Sequence, residues 1–268
     1  MKKPVIGLAL SGGSALGFAH IGVIEELEKN GIKAKVVTGT SMGAIIGGAY
    51  ANGLSTDEMK MYARKITKSK FVDANFFKNG GMFKGKYIDK LFKDAFGDAN
   101  IEDLKIKFAC VACDINEGKE VVFDKGLVRT AVRASMNIPG LFAPIKHDGM
   151  ALIDGGMTNN LPDNIAKKLG ADIIIAVNVL ENAYPHFKGK KISNAVIASL
   201  QLSNIHMMRN RKNYSNIELK PTIDYKETGI DMLSYEKNKV EKIIEAGRAE
   251  AKEMMPKILK IINNWKQK

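Results

Sequence analysis

The pattern that most restricts this chain is a strand, a glycine-rich turn and a helix, written twice within residues 5–50. Residues 5–10 form one apolar run. Ser11 to Gly17 is rich in glycine, and Phe18 to Asn30 carries Ile21, Ile24 and Leu27 at helical spacing, with Gly31 placed to cap it. The unit then repeats: Val36-Val37 leads into Gly39-Thr40-Ser41-Met42-Gly43 and a second helical stretch, Ala44 to Tyr50. Parallel strands need crossover helices, so two successive units of this kind predict a parallel sheet covered by helices.

The remaining chain fits that plan. Residues 54–105 read as a mostly helical, amphipathic, cap-like insertion, broken at Asn79-Gly80-Gly81 and around Gly97. Strands are predicted at 107–115 and 119–123, joined as a hairpin through Asn116-Glu117-Gly118. A helix near 127–136 precedes the loop Asn137 to Pro144, whose prolines forbid a continuing helix. A short strand at 150–153 ends on Asp154-Gly155-Gly156, followed by a helix from about 162, a buried strand at 172–179, and a Lys-rich helical tail at 235–265 interrupted by Pro256. Its 268 residues, 45% of them hydrophobic, suffice for one core, and one domain over 1–268 is expected.

Composition narrows the function. No apolar run approaches the roughly 20 residues that span a bilayer, so the chain is expected to be soluble. Lys and Arg number 41 against 29 Asp and Glu, a formal charge of +12 that favours anionic surfaces; peripheral association with an anionic membrane is one expectation. Nucleic-acid binding is not expected, because neither a helix-turn-helix nor an aromatic RNA-binding motif accompanies the charge. Cys110 and Cys113 form a C-x-x-C pair inside a predicted strand, where residues three apart face opposite sides, so they read as core thiols suited to a reducing cytoplasm.

Gly39-x-Ser41-x-Gly43 between a strand and a helix is the context of a nucleophile elbow, in which the glycines permit a turn that exposes a hydroxyl. The earlier turn, Ser11 to Gly17, also opens a helix, so its N–H groups and the helix dipole favour negative charge, as an oxyanion hole requires. Gly12 and Gly17 have P-loop spacing, but Phe18 and Ala19 stand where Lys and Ser or Thr are needed, and a dinucleotide fingerprint would need glycine at Ser14. A serine nucleophile needs a base, and the residues leave two choices: Asp154 acting directly, or a histidine. The order Ser41, Asp154, then His186 or His206 mimics a hydrolase triad, although the elbow lies too early for the usual strands to precede it. His20 and His147 read as structural.

Taken together, Gly17-Phe18-Ala19-His20-Ile21-Gly22-Val23, the elbow at 39–43, Asp154-Gly155-Gly156, the stretch Ala134 to Phe142 and Asn159-Asn160-Leu161-Pro162 resemble the bacterial patatin-like phospholipases. The resemblance extends over most of the chain, including Asp114 to Phe123 and Ile243 to Gly247. It implies a three-layer α/β/α sandwich with a mainly parallel central sheet, and a serine esterase of lipid metabolism acting on acyl esters of lipids without metal or cofactor. By the same resemblance Ser41 is the nucleophile and Asp154 its base, with Gly12, Gly13 and Ser14 supplying the oxyanion hole. Two positions depart from the loop usual in that family, where a third glycine and a basic residue stand at Ser14 and Leu16. Arg129 and Arg133, one helical turn apart, are candidates to supply the missing charge. Acyl transfer through the same acyl-serine, and a degenerate lipid-binding protein, are the competing readings.

Overall fold

The computed structural model describes residues 3–68, 85–182, 192–223 and 235–266. Its centre is a sheet in which β1 (Ile6–Leu10), β2 (Val36–Thr40) and β7 (Ile173–Val177) are buried throughout, the signature of strands covered on both faces. β1 pairs in parallel with β2 on one side and with β7 on the other. β2 continues in parallel to β3 (Lys107–Asp114), and β7 to β8 (Ile217–Leu219). Beyond β3 the sheet turns antiparallel, through β4 (Lys119–Phe123), β6 (Met150–Asp154) and β5 (Ile145–His147). The predicted hairpin is β3 and β4; β5 and β8 were not legible, being three residues each.

The register of β3 brings two distant strands together. Residues 110–114 pair with β4 along one edge. On the opposite edge β2 occupies β3 as far as the pair Thr40 with Val111, and β6 takes over at the next residue, with Asp154 opposite Ala112. β2 and β6 therefore meet end to end, and the residue that follows β2 is Ser41.

Helices flank the sheet: α1 (Ala19–Lys29), α2 (Met42–Ala51), α3 (Thr56–Lys68), α4 (Lys86–Phe96), α5 (Val128–Ser135), α6 (Asp163–Lys168), α7 (Ile192–Asn210) and α8 (Lys237–Asn263). Residues Ser14–Phe18, of which 14–17 were expected as loop and Phe18 as helix, form a 3-10 turn that runs directly into α1. α1 ends as its sequence anticipates: Gly31 adopts φ 75° and donates to Glu28 O, while Ile32 N donates to Leu27 O, the paired closure of a Schellman motif. The cap-like insertion is helical in α3 and α4, and Gly97 terminates α4; Asn79-Gly80-Gly81 lie outside the described residues. α7 was not anticipated, since its apolar residues mark no clear face.

Pro256 does not interrupt the tail. α8 runs through it unbroken. Pro256 and Lys252 are both exposed, so water can satisfy the carbonyl that a proline leaves without its donor. α8 packs closely on α1 because two glycines face across the crossing. A Cβ on Gly247 would overlap the Ala19 carbonyl, and one on Gly22 would overlap the Ile244 carbonyl. The Arg248 guanidinium then pairs with Glu25 at 2.6 Å. Gly247→Ala is expected to force the helices apart at a cost of about 2 kcal/mol, in the range of overpacked cores. Urea unfolding with a lowered midpoint and unchanged slope would report it.

Candidate active site

Ser41 occupies the single residue between β2 and α2, at φ 55° and ψ −121°. That backbone is disfavoured for any side-chain-bearing residue and costs on the order of 1–3 kcal/mol. The surroundings enforce it. The Ser41 N–H donates to Ser135 Oγ at 2.9 Å, Ser135 in turn donates to Val111 O at 2.6 Å, and the Ser41 carbonyl accepts from Ala44 and Ile45 at the start of α2. The flanking glycines are needed for closeness: a Cβ on Gly39 would strike the Gly43 carbonyl, and one on Gly43 would strike the carbonyls of Leu10 and Ser11. The strand–turn–helix therefore closes only with glycine at both positions.

The Ser41 hydroxyl donates to Asp154 Oδ2 at 2.6 Å, 113 residues away in sequence. Asp154 Oδ1 accepts from Gly156 N at 2.8 Å, and its own N–H donates to Asn137 O at 3.0 Å. Asn137 is fully buried and bonds Ala143 O and Leu152 O through its amide, so it ties α5, the 137–143 loop and β6 into one frame around the carboxylate. Opposite, the segment 159–162 is stitched to β2 and the first turn. Thr40 Oγ1 donates to Asn159 O at 2.7 Å, and Thr38 Oγ1 to Pro162 O at 2.8 Å. Ser135, Asn137 and Asn160 lie in stretches that carry the family resemblance, but their sequence alone does not tell which buried groups they bond.

The hydroxyl and carboxylate line a shallow cleft that opens to solvent. Ile138, Pro139, Leu141, Met157 and Leu200 make it apolar, while Gly13, Ser14, Asn160, Gln201 and Asn204 supply polar atoms. The Gly12 N–H is spent on Asn160 O at 3.0 Å, which corrects the expectation that Gly12 is an oxyanion donor. Gly12 serves instead by its lack of a side chain, since a Cβ there would lie 2.5 Å from Asn160 Oδ1 and 3.1 Å from the Ser41 Cβ. The Gly13 and Ser14 N–H groups find no acceptor among the described residues.

Arg129 and Arg133 do not bring charge to this cleft. Arg129 pairs with Asp98 at 3.1 Å; Arg133 pairs with Asp89 at 2.9 Å, donates to Asn137 Oδ1 at 2.7 Å and lies over the Phe142 ring. Both guanidinium groups are engaged where they stand. His20 is buried beside the first turn, with Nε2 2.8 Å from Ser11 O, and burial pushes its pKa down to about 4, so it is a neutral fastener. His147 sits against Phe123 in β5 and His206 is exposed on α7; His186 lies outside the described residues. Cys110 and Cys113, at opposite parity in β3, are both buried, and burial raises both thiols.

A strained serine thus lies hydrogen-bonded to a buried aspartate at the strand ends of a mixed α/β sheet flanked by helices. The chain belongs to the patatin-like phospholipase family, whose pattern matches residues 8–167. An uncharacterized NTE family protein of Mycobacterium tuberculosis is 38% identical over 181 residues, 66% of this chain and 50% of that protein. The lysophospholipase nte1 of Emericella nidulans is 36% identical over 195 residues, 70% of this chain and 13% of that protein. The chain thus spans half or less of these relatives. Among solved structures, human GIVD cytosolic phospholipase A2 aligns with TM-score 0.56 at 12% identity, over 97% of this chain and 58% of that one. VipD from Legionella pneumophila aligns with TM-score 0.52 at 11% identity, over 96% and 67%. At such identities these two likenesses speak for the fold.

Burial raises the Asp154 carboxyl to about 6 from 3.8, against the opposing effect of its hydrogen bonds from Ser41 and Gly156. The folded protein therefore holds this proton more tightly than the unfolded chain, so stability is fullest below pH 3.8 and declines as pH rises through about 6. A shift of two units corresponds to about 3 kcal/mol. Asp154→Asn is expected to be more stable than wild type at pH 8 by that order, with the gap closing toward pH 4. Urea unfolding at both pH values would measure it.

Proposed function

We propose that this chain is a serine hydrolase of lipid acyl esters, with Ser41 as nucleophile and Asp154 as its base. The observation that carries the reading is the 2.6 Å hydrogen bond from Ser41 Oγ to Asp154 Oδ2 at the floor of an apolar cleft. Family membership and relatives named lysophospholipases support the lipid ester as substrate.

In this reaction the ester carbonyl settles over Ser41 with its oxygen toward the Gly13 and Ser14 N–H groups. Ser41 Oγ attacks the carbonyl carbon while its proton passes to Asp154, and negative charge on the tetrahedral oxygen is held by N–H donors already fixed in place. Collapse expels the alcohol, which takes the proton back from Asp154 and leaves an acyl-serine. Asp154 then removes a proton from water; the resulting attack releases the fatty acid, and Ser41 recovers its hydrogen. An ordinary aspartate is a feeble base for this work. Burial that lifts the carboxyl to about 6 strengthens it while leaving it ionised at neutral pH.

Turnover of a 4-nitrophenyl acyl ester tests the assignment. Ser41→Ala and Asp154→Asn, both checked for folding by circular dichroism, are expected to lose about a thousandfold or more in kcat, as when acting nucleophile or base is removed. Wild-type kcat/KM is expected to rise tenfold per pH unit below about 6 and level off above it, because only ionised Asp154 accepts the proton. Persistent turnover without Ser41 would overturn the mechanism. Fatty-acid release from phospholipid and monoacyl phospholipid vesicles, followed by product analysis, tests the substrate class.

A further inference from the structure

Ser14 presents a conformational problem of its own. It opens the Ser14–Phe18 turn at φ 51°, in the left-handed region, which a Cβ disfavours and glycine adopts freely. Nothing in the neighbouring sequence compensates serine for this. The compensation is tertiary: the Ser14 hydroxyl shares a 2.7 Å hydrogen bond with the hydroxyl of Tyr235, 221 residues away.

Tyr235 also grips the other end of the same turn. Its ring meets Phe18 edge to face, with centroids 6.1 Å apart and planes at 88°, and Phe18 is fully buried. One side chain thus touches the first and last residues of the turn. Tyr235 is itself held from below, because it immediately precedes Glu236, the cap of α8, and α8 is locked on α1 by the Gly22 and Gly247 crossing. α1 begins at the residue after the turn, so turn, α1, α8 and Tyr235 form a closed frame.

We infer that Tyr235 is a positioning residue for oxyanion stabilisation: its hydroxyl, acting through Ser14, holds the Gly13 and Ser14 N–H groups where they face the cleft. The inference rests on the hydrolase reading above. Tyr235 does not line the cleft and touches no reacting atom there; its effect is on a geometry that matters most when charge develops on the substrate oxygen. It should therefore appear in kcat rather than in KM, and it should disappear once residue 14 no longer needs support.

The test is a cycle of kcat and KM for wild type, Tyr235→Phe, Ser14→Gly and the double variant on the 4-nitrophenyl ester. Tyr235→Phe is expected to lower kcat about tenfold, a fraction of the 100- to 1,000-fold that deleting an oxyanion donor costs, with KM changed less than about twofold. In the Ser14→Gly background the same change is expected to cost less than about twofold, because glycine holds a positive φ unaided. Ser14→Ala removes the bond from the other side and should reproduce the Tyr235→Phe loss, so it serves if Tyr235→Phe does not fold. Equal losses in both backgrounds, an unchanged kcat, or a loss confined to KM would overturn the inference. The Gly13 amide resonance in nitrogen-15 spectra gives a reading independent of turnover: Tyr235→Phe should shift it with serine at 14 and leave it in place with glycine. A wild type without Ser41-dependent turnover defeats the hydrolase reading, whereas an unmoved Gly13 amide defeats this one.

Discussion

The geometry of this protein hangs on one edge of β3. Val111 is the last residue of that edge paired to β2, and Ala112 is the first of those paired to β6. Two strands far apart in sequence consequently stop nose to nose on consecutive residues, one delivering Ser41 and the other Asp154. A slip of one residue would turn either side chain to the opposite face of the sheet. The same edge does further work through Val111 O, which accepts from Ser135 Oγ while Ser135 receives the Ser41 N–H. The strained serine is thus anchored to the strand that sets its distance from the aspartate.

A direct serine–aspartate pair places unusual demands on burial. The carboxylate is buried, and polar groups buried around it gain from partners, since an orphaned donor or acceptor in such a place costs about 1–3 kcal/mol. Asn137 and Asn160 meet that demand by bonding to the carbonyls of Ala143, Leu152 and Gly12 around the site. His20 does so at Nε2 alone, against Ser11 O, its buried Nδ1 having no partner among the described residues. Burial also disfavours the ionisation of Asp154.

The basic surface finds partners within the molecule as well as facing solvent. Arg211 reaches the buried Asp163 at 2.6 Å, Arg133 reaches Asp89, and Arg248 and Lys60 share Glu25. These pairs pin α6, α4 and α8 to their neighbours. No helix among the described residues is long and apolar enough to cross a membrane. The cleft beside Ser41 is walled by Ile138, Leu141, Met157 and Leu200.

Much of this was legible in the chain before any coordinates. Strong local signals carried it: continuous apolar runs for β1 and β7, the short Val36-Val37 run for β2, the alternation of strand and helix, and glycines at 39 and 43 whose purpose is local closeness. Ser41 stood out in its elbow and Asp154 through the family resemblance of its Asp-Gly-Gly segment. What the sequence could not express were distances between segments. Only the tertiary structure decided that Gly12 gives its N–H to Asn160, that Arg133 turns to Asp89 rather than to the cleft, that α8 continues through an exposed Pro256, and that Ser14 leans on Tyr235. Periodicity and turn chemistry act over a few residues and are written in order along the chain, whereas the partner of a buried polar group is whichever group the packed sheet and helices bring within 3 Å.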